Sequence, residues 1–216
     1  AFVNPMTALG FVENAKMDGQ KAIVHTAAAS NLGQMLIKIC LEDDIDLVNI
    51  VRKAEHVDLL KGIGAKYVVN SSDDDFMDQL RDAIDATDAF YGFDPIGGGQ
   101  ATDNVFKAME QVAVSKMTEY SRYGSNQQKR MFIYGRLDLG PTVLTPSYGF
   151  GWTLSGWLLT PFLQQAGMET MVRMRQRVLD NLTTTFASSY KRKVDLFEML
   201  EKDAVIDYRA VKTGEK

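Results

Sequence analysis

Ala27, Ser30 and Gly33 stand three residues apart in VHTAAASNLGQM (24–35), between an apolar run and an amphipathic one. Small residues at that spacing suit one kind of chemistry. They let a backbone turn approach a pyrophosphate, whose charge meets free N–H groups and about half a positive elementary charge at the start of the next helix. Ala and Ser hold the first two places of a G-x-x-G-x-x-G pattern, and glycine keeps the third, where helix and strand pack closest. The same turn also occurs as plain packing, so the spacing alone leaves both readings open. Arg52 and Lys53 bear on the choice, because they follow the next apolar run, where a dinucleotide site selects its cofactor. A carboxylate there binds a free ribose 2′-hydroxyl, whereas cations accept a 2′-phosphate. Glu55 comes only after the run. As a site the pair favours NADP(H) over NAD; otherwise the two cations simply open a solvated helix. The missing strand-end acid also counts, more weakly, against an S-adenosylmethionine methyltransferase.

Such residues need a sheet beneath them. KAIVHTA (21–27), DLVNIVRK (46–53), YVVN (67–70), AFYGFD (89–94) and RMFIYG (130–135) are short apolar runs. Between them, helix faces are marked by Leu32, Met35, Leu36, Ile39 and Cys40, then by Phe76, Leu80 and Ile84, then by Val105, Ala108, Met109 and Val112. A shorter helical piece ends at Gly62 and Gly64. Near-continuous apolar strands alternating with helices predict an α/β fold, a doubly wound parallel sheet covered on both faces. Residues 115–128 are polar and read as a surface excursion before the fifth strand. Farther on, Met171, Met174, Val178 and Leu182 mark the inner face of a helix, with Arg173, Arg175 and Arg177 turned to solvent.

Composition narrows the partners. With 216 residues, 45% of them hydrophobic, the chain can bury one large core with an appendage. A net charge of −4 without a basic tract gives no footprint for nucleic acid, and the apolar runs are too short to span a bilayer. The single cysteine, Cys40, cannot form an internal disulfide, and the N-terminus lacks a signal-peptide layout, so a cytoplasmic setting is expected. His25 and His56 are the two histidines, too few with one cysteine for a zinc site. The chain opens on Ala1, which raises the expectation of a fragment.

One ordered series of segments is more specific than any single motif. VNPMTALGFVENAK (3–16), KAIVHTAAASNLGQMLIKIC (21–40), VRK (51–53), GAKYVVNSS (64–72), FDPIGGG (93–99) and IYG (133–135) together resemble the cofactor domain of medium-chain dehydrogenases/reductases, nearest the zinc-independent, quinone-oxidoreductase-like branch. The resemblance covers most of residues 1–160. It implies an NADP-binding Rossmann domain over 1–182 and a segment, 183–216, returning as a strand plus a helix toward a GroES-like catalytic domain, most of which the sequence lacks.

The resemblance also assigns places. It sets Thr7 beside the nicotinamide, with Asn4 and Pro5 shaping the helix start, although Thr7 also reads as a plain helix-face hydroxyl. It puts Ala29, Ser30, Asn31, Leu32 and Gly33 at the pyrophosphate, Arg52 and Lys53 at the 2′-phosphate, and Asn70 and Ser71 beside the adenosine ribose. Ser71 departs from the tyrosine or histidine common there, which removes one partner of the 2′-phosphate. Ile96, Tyr134, Gly135 and Arg136 match backbone lining the ribose and nicotinamide. GWTLSGWLL (151–159) resembles the sixth strand, with Gly156, Trp157 and Leu158 near the carboxamide; Trp152 and Trp157 equally suit core or dimer-edge positions. Val3 stands where zinc-dependent relatives carry a cysteine. The implied whole is an NADPH-dependent oxidoreductase, a homodimer passing hydride to a quinone, enone or other small carbonyl compound. No side-chain acid or base among these residues can be named as catalytic, and the fragment alone would be inactive. The alternative is a family member that binds the nucleotide as a structural or regulatory module without chemistry.

Overall fold

The computed structural model describes residues 2–188 and 193–210. Six strands, β1 (Ala22–His25), β2 (Asp46–Val51), β3 (Tyr67–Asn70), β4 (Tyr91–Asp94), β5 (Lys129–Ile133) and β6 (Trp152–Gly156), form one sheet. Its order is β3-β2-β1-β4-β5-β6 and every pairing is parallel. The order reverses between β1 and β4, the topological switch point at which open α/β sheets bind ligands.

Helices cover both faces, so the strands read as apolar runs rather than alternating ones. One face carries α1 (Val3–Met17), α2 (Asn31–Glu42), α3 (Ala54–Ile63) and α6 (Leu159–Asp180); the other carries α4 (Phe76–Thr87) and α5 (Ala101–Ser115). Helix α1 lies against both α2 and α6 and buries residues on nearly every side, so it shows no single apolar stripe. Gly64 ends α3 at φ 107°, a left-handed conformation that glycine adopts freely. Gly167, at φ 85°, divides α6 into two helical pieces. Among the described residues no helix is long and apolar enough to cross a membrane.

The polar stretch 115–128 lies largely at the surface as expected, but it is pinned from beneath: Ser125 is buried, and the wholly buried Lys129 Nζ lies 2.6 Å from Glu110 on α5. Two further expectations need correction. Arg177 is not simply solvated, since it binds Glu42 at 2.7 Å and Asp43 at 2.8 Å at the end of α2, while Arg173 forks onto Glu13 of α1 at 2.8 and 2.7 Å. These ion pairs strap α6 to the helices beneath it. Leu182 falls beyond the end of α6 and is exposed; Thr185 and Phe186 are the buried residues of that segment.

Packing continues past residue 182. Thr185 donates to Glu42, Lys38 Nζ donates to the Thr184 carbonyl at 3.2 Å, and Phe186 enters the core under α2. Farther along come a 3₁₀ turn (Glu198–Leu200) and α7 (Lys202–Ala210), whose Leu200, Val205, Ile206 and Tyr208 are exposed. The expected strand and helix of 183–216 fall partly on 189–192 and 211–216, which lie outside the described residues.

Candidate functional site

Because all six strands run the same way, their carboxyl ends share one edge, and the loops leaving them meet there. Thr7 is buried near the start of α1, and Phe11, one turn on, lies beside His25 at the end of β1, with ring centroids 6.3 Å apart.

The first loop is tied down on both sides: Thr26 N–H donates to the Phe93 carbonyl at 3.2 Å and Ala28 N–H to the Ile50 carbonyl at 3.0 Å. Between them Ala27 takes φ 50°, left-handed backbone at the place where the pattern has glycine. Ser30 caps α2, its Oγ accepting the Gly33 N–H at 3.1 Å. A Cβ on Gly33 would stand 2.1 Å from the Ala28 carbonyl oxygen, so glycine there is a steric requirement. Asn31 and Leu32, in the first turn, have no carbonyl within the helix to receive their N–H groups. The turn therefore offers donors, a helix start and little side-chain bulk, which fits a pyrophosphate.

The loops after β4 and β5 form the adjoining wall, and Asp94 organises it. This buried carboxylate receives the Thr26 hydroxyl, the N–H groups of Ile96 (2.8 Å) and Gly97 (3.3 Å) and the Thr102 hydroxyl (2.9 Å). The two loops then pair beyond the sheet, Leu137 N–H donating to the Pro95 carbonyl at 3.0 Å and Asp138 N–H to that of Ile96 at 2.9 Å. A Cβ on Gly135 would come within 2.8 Å of the Pro95 carbonyl oxygen, which fixes that glycine. Below, Tyr134 Oη lies 2.7 Å from His25 Nε2. Burial pushes the His25 pKa down to about 3 and the Tyr134 phenol upward, with Asp94 adding to the latter. Both rings are uncharged at neutral pH and serve as a polar clasp in an apolar floor.

Past β2, Arg52 and Lys53 are exposed, and the Arg52 carbonyl accepts from Ser72 Oγ at 2.9 Å. Asn70 is buried and bonded to Asp73 at 2.6 Å, while Ser71 is exposed with its N–H on the Val51 carbonyl at 2.8 Å. Arg136 and Leu158 are exposed at the same edge. Trp157 turns inward: its indole N–H donates to Asn14 at 2.8 Å and its ring covers Gly10 of α1. Its backbone, rather than its ring, is what reaches the edge. Trp152 packs on Phe106 and Tyr148 as a core aromatic. Among the described residues no group of three or more His, Cys, Asp or Glu is arranged to hold a metal.

Sequence reasoning missed Asp94 and the His25–Tyr134 clasp. Asp94 had a signal, an acid followed by Pro-x-Gly, the composition of a turn whose side chain bonds the backbone two residues on. The clasp joins residues 109 positions apart and had none.

No family model matches the chain, and no curated protein matches it. Solved structures do. An inferred NADPH:quinone reductase from Mesorhizobium loti is similar over 98% of this chain and 57% of its own, with 26% identity and a TM-score of 0.77. The mitochondrial 2-enoyl thioester reductase heterodimer of Candida tropicalis is similar over 98% of this chain and 58% of its own, with 19% identity and a TM-score of 0.67. A mycobacterial protein complexed with NADPH is similar over all of this chain and 61% of its own, with 16% identity and a TM-score of 0.66. The latter two likenesses carry the fold. The resemblance read from the sequence is thus matched in three dimensions, since these quinone and enoyl thioester reductases are of the medium-chain dehydrogenase/reductase superfamily. The chain spans less than two thirds of the length of each.

Proposed function

We propose that this chain is the NADP(H)-binding domain of a zinc-independent oxidoreductase that passes hydride to a quinone, enone or other small carbonyl compound. The observation that carries the reading is the β1–α2 turn: Gly33 is packed against the Ala28 carbonyl, and the start of α2 is left with N–H donors and no bulk in front of them. Arg52 and Lys53, exposed one strand away, supply the charge for a 2′-phosphate. The reductase names of the similar proteins support the same class. A bound nicotinamide would supply the hydride, and the loops after β4, β5 and β6 together with Thr7 would orient it. A homodimer belongs to this reading, as does a cytoplasmic setting. β6 ends the sheet order with its outer edge unpaired among the described residues, and Thr153 and Gly156 lie exposed along it.

Ser30→Asp tests the turn. Asp caps a helix as well as Ser, so the fold should hold, but a carboxylate would now stand against the pyrophosphate. Calorimetry should find NADPH and NADH weakened alike with an unchanged melting temperature. Wild-type affinity in this variant would reduce the turn to packing.

A further inference from the structure

The cations past β2 are not both free. Lys53 Nζ lies 3.0 Å from Glu55 Oε1, two residues on in the first turn of α3, and His56 Nε2 stands 3.7 Å from the same oxygen. Lys53 and Glu55 are both well exposed, so their pairing is soft and can be exchanged.

We propose that Glu55 is a specificity-determining residue of the cofactor site: by holding Lys53, it sets how far NADPH is preferred over NADH. The inference rests on the nucleotide reading above. To receive a 2′-phosphate, Lys53 must give up Glu55, and the freed carboxylate then faces a doubly charged group. A nucleotide with a free 2′-hydroxyl requires no such exchange. Glu55 therefore penalises NADPH and leaves NADH nearly untouched, so the site discriminates less than two free cations would. For an exposed pair the effect is about two- to fivefold in the affinity ratio.

The test is a double-mutant cycle on the 216-residue chain, with NADPH and NADH dissociation constants measured by calorimetry. Glu55→Gln keeps the shape and removes the charge. It should raise NADPH affinity about two- to fivefold with little change for NADH. In a Lys53→Met background the same substitution should raise the ratio less, because only the repulsion between the carboxylate and the phosphate is then removed. An unchanged ratio for Glu55→Gln alone would overturn the proposal while leaving the nucleotide reading intact. An equal rise in both backgrounds would also overturn it, because the effect would then be bulk charge rather than the pair. Failure of the wild-type chain to bind either nucleotide would overturn the nucleotide reading, and this proposal with it.

Discussion

Ala27 and Gly33 occupy the same turn and illustrate opposite relations between sequence and backbone. Gly33 was legible because its reason is steric: the helix approaches the strand so closely that only a hydrogen fits against Ala28. Ala27 was legible as small but not as strained, because an alanine does not announce φ 50°. Left-handed backbone costs an L-residue about 1–2 kcal/mol, partly offset by the lower chain entropy of alanine when unfolded. Ala27→Gly should therefore stabilise the protein by roughly 0.5–1 kcal/mol in urea unfolding. Gly33→Ala should cost about 1–3 kcal/mol, since the clash is with backbone and cannot be relieved by a rotamer change. Equal stability of wild type and Gly33→Ala would mean that the turn is looser than described.

At the scale of elements, composition identified strands and helices well and failed where polar residues turn inward. The stretch 115–128 reads as solvated because nothing local reveals that Ser125 and Lys129 close on Glu110, which accepts the Ser125 N–H at 2.8 Å and its hydroxyl at 2.6 Å. Burial raises the Glu110 pKa, but Lys129 and Ser125 outweigh it and hold the carboxyl below its usual value. Lys129→Met strands that charge and should cost about 3–5 kcal/mol, whereas adding Glu110→Leu should recover much of the loss. Asp103 anchors the loop after β5 in a similar way, through the Thr145 N–H at 2.7 Å and the Tyr148 hydroxyl at 2.7 Å, and pairs with Lys107 one turn along its own helix at 2.7 Å. Its burial raises the pKa and these partners override that, leaving it near 2. A depressed folded-state pKa gives stability that is complete above the unfolded value, about 4, and lost as pH falls from there toward 2. The melting-temperature gap between wild type and Asp103→Asn should thus be largest near neutral pH and shrink below pH 4. A gap constant down to pH 2 would contradict the anchoring role.

The whole molecule was legible in its order of elements, since alternating strands and helices admit few sheets and the right-handed crossover rule selects among them. The burial of Phe186 was not, because a single phenylalanine among threonines gives no periodic signal. With Phe186 in the core, a chain ending after Leu182 should melt below one ending after Ser188, by the equivalent of about 3 kcal/mol or more. Equal melting of the two would place the boundary back at residue 182. The reading of the chain as a cofactor domain, whose substrate cleft is completed elsewhere, also predicts that the 216-residue protein reduces no quinone or enone with NADPH. Measurable turnover would mean that the catalytic groups lie within it. The central claim is the nucleotide site, and the NADPH-to-NADH affinity ratio before and after joint replacement of Arg52 and Lys53 by alanine tests it most directly. Each charge-assisted contact to a 2′-phosphate contributes about 1.5–3 kcal/mol, so the ratio should fall at least about tenfold as NADPH weakens and NADH holds. An unchanged ratio, or no binding by the wild-type chain, would contradict the account.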